Sequence, residues 1–301
     1  MKPSHRRAAF LAAVAVTTAA FPTASAVASA PRSEPARPLT ILLSNDDGYG
    51  APGIKAVFDK LTAAGHDVTI VAPATNQSGA SVKRTIDEGA QLTAKKVADK
   101  VWSVDGTPAD SVMFGLGHVL AGQKVDLVVS GTNFGQNIGS IVNNSGTVGA
   151  AVTAIEFGMP AIAVSTEIDF ENPRNTIANM PATGDFVARL VAQLQRTARG
   201  GPLLPKYAGL NVNYPTRPGL ASPTGITLTQ QTREALFSVA YKSNGGDSYT
   251  LEAAFNETEG EAKSDLAALI QGKVSITPID ADWTAAPVTY ATTAARLAGL
   301  R

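Results

Sequence analysis

Two adjacent carboxylates, Asp46 and Asp47, follow a short apolar run, Leu39 to Ser44, and precede a glycine-rich stretch, Gly48 to Gly53. Paired acids at the end of a buried strand suit a hard divalent cation, which takes oxygen ligands and keeps waters for a phosphate. The same stretch literally satisfies G-x-G-x-x-G, the fingerprint of a dinucleotide turn. Two features weigh against a dinucleotide: the acids would repel a pyrophosphate, and the next apolar run ends in Ala72-Pro73, without an acid to hold a ribose. A plainer alternative makes Asp46 and Asp47 a helix cap and a first-turn acid.

Other loops carry matching chemistry. Asn76-Gln77-Ser78-Gly79 and Ser130-Gly131-Thr132-Asn133 supply hydroxyl and amide oxygens, the neutral ligands that would complete a site begun by two Asp. Gly131, Gly135 and Gly139 recur at four-residue intervals with Asn between them, as in a loop whose backbone approaches something closely. Ser145-Gly146-Thr147 opens an Ala-rich helix, where free backbone N–H groups would receive an anion; plain N-capping is the alternative.

The elements that must hold these loops alternate strand and helix. Leu39–Ser44, Asp67–Ala72, Val125–Ser130, Ala161–Ser165 and Leu210–Asn213 read as strands, and 54–64, 147–157 and 186–198 as helices. The pattern predicts an α/β fold: a Rossmann-like, doubly wound, mostly parallel sheet over 39–215. Ligands of such sheets bind beyond the carboxyl ends of the strands, where all these loops lie. Beyond residue 215 the texture loosens, with short strand-like runs at 226–229 and 274–277. Residues 216–301 are read as an extension that adds to the sheet or projects as a β-hairpin and tail.

The chain has 301 residues, 25 Lys+Arg against 25 Asp+Glu, and no Cys. Missing cysteines exclude disulfide scaffolds, thiol nucleophiles, thiolate zinc sites and iron–sulfur clusters. Balanced charge gives no support to a nucleic-acid groove or a polybasic membrane surface. His66 and His118 adjoin no motif and are read as structural.

Residues 44–48 and 51–54, Asn76–Gly79, Gly106-Thr-Pro-Ala-Asp110, Ser130–Asn133 and 145–148 together resemble, in order and spacing, the motifs of the SurE survival-protein family. Fainter echoes follow at 210–215, Ser264-Asp265 and 272–278. The resemblance implies a metal-dependent 5′/3′-nucleotidase and acid phosphatase acting on a small nucleotide substrate. It implies one divalent cation per subunit (Mg²⁺ or Mn²⁺) on Asp46, Asp47, Ser78 and Asn133, with Asp46 or Asp47 orienting the attacking water. Asn45, Gly79, Ser145, Gly146 and Thr147 would surround the phosphate, and Asp265 would contribute from the lid region. It further implies a homodimer or homotetramer that exchanges C-terminal segments. Two departures stand out. Ser140-Ile141 occupies the place where many relatives carry an acidic or histidine pair, and Asn144 replaces a frequent Tyr. Two other classes compete: a non-catalytic exported protein that binds nucleotide or phosphate, and an NAD-type oxidoreductase built on glycines 48–53.

Residues 1–30 have the layout of a secretory signal peptide: Lys2, Arg6 and Arg7, an apolar run from Ala8 to Ala20, then Ala24-Ser25-Ala26 or Ala26-Val27-Ala28 for cleavage. The expectation is an exported protein without a membrane span, followed by a flexible leader at 31–38. Removing 1–30 leaves 22 basic against 25 acidic residues, a slightly acidic chain.

Overall fold

Thr40–Ser44 forms β1, whose alternate residues feed two different layers. Ile41 and Leu43 join one apolar cluster, and Leu42 joins another on the opposite face. Such two-sided burial is what a central parallel strand requires. The computed structural model describes residues 37–216, 222–256 and 261–299, so the signal-peptide reading and most of the leader fall outside it. The leader's last residues are not loose. Arg37 makes a two-bond ion pair with Asp126 at 2.6 and 2.9 Å, and its carbonyl accepts from Gln195, which corrects the flexible reading at that end.

After β1 the chain runs through α1 (Pro52–Ala63), β2 (Asp67–Pro73), β3 (Thr93–Ala98), β4 (Val101–Asp105) and α2 (Pro108–Phe114). It continues through β5 (Leu127–Phe134), α3 (Gly146–Glu156), β6 (Ala161–Thr166), α4 (Pro173–Ala198) and β7 (Ala208–Tyr214). The remainder holds β8 (Gly225–Leu228), β9 (Phe237–Gly245), β10 (Ser248–Phe255), α5 (Asp265–Ile270), β11 (Lys273–Asp280) and α6 (Pro287–Arg296).

Nine strands make one sheet in the order β3-β4-β2-β1-β5-β6-β7-β11-β8. The strands from β4 to β7 are parallel, while β3 and β11 run against their neighbours β4 and β7. The order turns back between β1 and β5, since β2 lies on one side of β1 and β5 on the other. This is the topological switch point, where a doubly wound sheet opens a crevice. Helices α1 and α4 bury Ile54, Val57, Phe186 and Val187 on one face; α2 and α3 bury Val112, Val148 and Ile155 on the other.

The sheet is therefore the expected doubly wound one, with two extensions of the sequence reading. The helix expected at 186–198 starts at Pro173 and passes through Pro181, because its buried stripe continues on both sides of the proline, from Thr176 and Met180 to Phe186 and Val191. The β3–β4 pair is also present; β3 is exposed along nearly all its length, so no apolar alternation marks it. After residue 215 the chain does both things expected of it. β8 and β11 extend the sheet, and β9–β10 forms a separate antiparallel hairpin.

Candidate active site

Asp46 and Asp47 stand at the switch point, immediately past β1. They do not cap α1: its N-cap is Ala51, without a side-chain bond, and its first turn holds no acid. Glycines before the helix and in its first turn shape the turn and the packing. Gly48 has φ +107°, and a Cβ on Gly53 would fall 1.9 Å from the carbonyl oxygen of Thr132. Asn45 braces this turn. Its Nδ2 donates one proton to the Gly48 carbonyl and its Oδ1 accepts from Gly48 N–H, so the side chain expected on the phosphate also holds the loop.

Asp46 is 3% exposed. The Thr147 hydroxyl donates to its Oδ1 at 2.5 Å, and the N–H groups of Gly146 and Thr147 point at the same carboxylate. Burial still pushes its pKa up; those donors only moderate the rise. The approach is so close that a Cβ on Gly146 would fall 2.8 Å from the Asp46 Cβ. This alters the anion-site expectation for Ser145-Gly146-Thr147. The anion held by the α3 N-terminus is Asp46 itself, while Ser145 caps the helix by accepting from Val148 N–H at 3.1 Å.

Asp47 is half-buried. Phe134 N–H, at the end of β5, donates to its Oδ2 at 3.0 Å, and Asn76 Nδ2 approaches Oδ1 at 3.3 Å. Burial first, and the charge of Asp46 second, push its pKa up to about 6. Among the described residues no Lys or Arg pairs with either acid. Two neighbouring carboxylates, one buried and one half-buried, without a counter-charge and beside neutral oxygen donors, fit a hard cation.

Those donors come from the next two loops. Ser78 is exposed, and its N–H donates to Asn76 Oδ1 at 2.9 Å, so Asn76 ties the Ser78 turn to Asp47. The loop is tied to Asp46 as well, through Gln77 N–H to the Asp46 carbonyl at 2.7 Å. Gly79 continues it with φ +85°. Asn133 is 9% exposed, and its Nδ2 donates to the Gly135 carbonyl at 2.7 Å. That carbonyl can only accept, which leaves the amide oxygen as the free end.

Several residues support the site in roles that the sequence reading did not assign to them. Asn137 donates its N–H to Asn213 Oδ1 at 2.7 Å, and its carbonyl accepts from Asn211 and Asn213. These bonds fasten the loop after β5; two buried Asn spaced by two on one strand were the available signal. Asn76 also had one, the Asx-turn pattern two residues before Ser78. The Gly106–Asp110 motif turns out to be a capping box on α2, and it also anchors Lys83 and Thr85 at the far end of the Ser78 loop.

Asp265 lies elsewhere. Fully buried, it accepts from the N–H groups of Gly139, Thr232 and Leu266, so both oxygens brace backbone and none faces an open phosphate site. His66 accepts from Leu39 N–H, and His118 stacks on Phe114 at 5.0 Å between ring centroids.

Fold and site together define a doubly wound α/β protein with paired carboxylates at its switch point and hydroxyl- and amide-bearing loops beside them. The chain belongs to the survival protein SurE family, whose model matches residues 41–237. The 5′-nucleotidase SurE of Paramagnetospirillum magneticum is 37% identical over 249 residues, covering 82% of this chain and 91% of that protein. The 5′-nucleotidase SurE of Caulobacter vibrioides is 31% identical over 253 residues, with 82% and 92% covered. Among solved structures, the SurE protein from Aquifex aeolicus superposes with a TM-score of 0.71 at 31% identity, covering 86% of this chain and 99% of that one.

Proposed function

We propose that the protein is a divalent-metal-dependent phosphomonoester hydrolase that releases phosphate from nucleoside 5′- or 3′-monophosphates. The observation that carries this reading is the uncompensated Asp46–Asp47 pair, fixed at the switch point by α3 and by the end of β5. Relatives named 5′-nucleotidases cover most of the chain, which supports the same reading.

Asp46, Asp47, Ser78 and Asn133 would hold the cation, Mg²⁺ or Mn²⁺. When bound, it supplies neutralisation of charge on the phosphate and an acidified water. Asp46, clamped by Thr147, serves as a fixed ligand. Asp47 keeps solvent access and orients the attacking water. The Ser145 oxygen accepts from Val148, which leaves its hydroxyl proton to donate to a phosphate oxygen.

The reading extends to export through residues 1–30, and to a dimer or tetramer joined by C-terminal segments. Among the described residues, no helix is long and apolar enough to cross a membrane. Assembly is supported by β9, β10 and α6, which leave Val239, Tyr241, Leu251, Val288 and Tyr290 more than half exposed.

Phosphate release from 5′-AMP, 3′-AMP and an aryl phosphate with Mn²⁺, Mg²⁺ or EDTA tests the reading. Metal-stimulated release that EDTA abolishes is expected; no release under any metal overturns it.

A further inference from the structure

A cleft of about 220 Å³ opens beside α3, between the loop that follows Ser78 and the segment that leaves β11. Val148 and Val152 form its floor along one side of α3, so it begins one residue past Thr147. At 1.5 Å of rise per residue, that start lies within the first helical turn, next to the clamp on Asp46. Val82 and Ile279 add apolar walls.

The two sides nearest the proposed site are stitched together. Ser81 donates its hydroxyl to the Asn143 carbonyl at 2.6 Å and its N–H to the Asn144 carbonyl at 3.2 Å. Its own carbonyl sits where a Cβ on Gly149 would be, 1.9 Å from that position. The cleft thus starts on α3 beside the Asp46 clamp, and its near wall, at Ser81 and Asn143, is fixed by these bonds.

The far wall has a different chemistry. Trp283 borders the cleft with 73% of its surface exposed, and it makes no ring contact among the described residues. Beside it stand Asp280 and Asp282. Asp280 Oδ1 accepts from Asp282 N–H, which leaves Asp280 Oδ2 uncommitted, while the Asp282 carboxylate accepts from both the N–H and the side chain of Thr284. A flat aromatic face next to two acceptor oxygens, over an apolar floor, matches a nucleobase that carries an exocyclic amino group. The ring would stack and the amino group would donate.

We propose that this cleft is the base subsite of the substrate, and that Asp280 and Asp282 favour amino-bearing bases over keto-bearing ones. The assignment rests on the nucleotidase reading of the Asp46–Asp47 site. Adenine then gains over hypoxanthine, and cytosine over uracil, because a carbonyl in place of the amino group would face carboxylate oxygens.

The test compares kcat/KM for 5′-AMP, 5′-IMP and ribose 5-phosphate in the full-length protein with its working metal. The ratio of 5′-AMP to ribose 5-phosphate falls about tenfold in Trp283→Ala, within the range that base–aromatic stacking contributes. The ratio of 5′-AMP to 5′-IMP falls about threefold to tenfold in the Asp280→Asn/Asp282→Asn double variant. Unchanged ratios overturn the subsite while leaving the nucleotidase reading intact. A Trp283→Ala protein with unchanged ratios but a different sedimentation would give the cleft to a second copy of the chain, which also overturns it.

A second readout does not depend on activity. The chain has 2 Trp, and Trp102 packs against Phe114 and His118, so saturable quenching of emission by adenosine reports on Trp283. Quenching is expected in the unsubstituted protein and not in Trp283→Ala. No quenching overturns the subsite even if phosphate release is robust, and quenching without phosphate release preserves the subsite while the nucleotidase reading falls.

Discussion

Helices α3 and α6 are built from much the same residues, chiefly Ala, Val and Thr, yet they meet opposite fates. Every residue of α3 from Gly146 to Ile155 is buried, whereas no residue of α6 is. Part of the difference lies in two glycines. Without a Cβ at 146 and 149, α3 closes onto Asp46 on one side and onto Ser81 on the other. Helix α6 has no such notch and remains on the surface. Apolar composition alone does not bury a helix; a partner must be able to approach it, and here that approach also assembles the site.

Breaking the α3 side of this comparison carries the largest effects. Asp47→Ala should lower kcat/KM by on the order of 10³-fold or more while the far-ultraviolet circular dichroism stays unchanged. Full activity in that variant would remove Asp47 from the site. Gly149→Ala places a Cβ against the Ser81 carbonyl and should cost about 3 kcal/mol in chemical denaturation, the upper range for overpacking. An unchanged midpoint would mean that the Ser78 loop is not held by this contact.

Metal dependence on pH sharpens the picture further. Burial raises the pKa of Asp46, and raises that of Asp47 to about 6. A carboxyl whose folded pKa exceeds its unfolded value stabilises the metal-free fold at low pH, and that contribution fades as pH climbs through about 6. A divalent cation takes only the ionised pair, so its stabilisation should grow over the same interval. Thermal melts with and without Mn²⁺ should therefore show a larger metal-induced rise at pH 7 than at pH 5. Equal rises would detach the pair from metal binding.

The smallest effect belongs to α6. Val288→Ser with Tyr290→Ser should change the stability of the isolated subunit by less than about 0.5 kcal/mol, because both side chains are exposed. Their proposed role in assembly predicts instead a lower sedimenting mass at the same concentration. A large loss of subunit stability would show that α6 packs against its own chain.

Much of the central sheet was legible because buried parallel strands have a strong local signature: Leu39–Ser44, Asp67–Ala72 and Ala161–Ser165 are apolar runs stopped by turn residues. The candidate ligands stood out for a related reason, since each closes a strand or follows one within a few positions. The edge strand β3 lacked that signature. The first half of α4 was hidden by Pro181, which tertiary burial overrode.

By itself, then, the sequence determined the order of elements and the kinds of atom at the sheet's carboxyl edge: Asp, Ser and Asn oxygens, with no thiol. Only the tertiary structure decided which of these atoms remain free. Asp265 has the right chemistry but spends it on backbone N–H groups, and the α3 N-terminus is filled by Asp46. The physical reason is that a buried polar atom must find a partner. Which partner it finds depends on residues as distant as Thr232 and Asp265, or Asp46 and Thr147, brought together only by the folded chain.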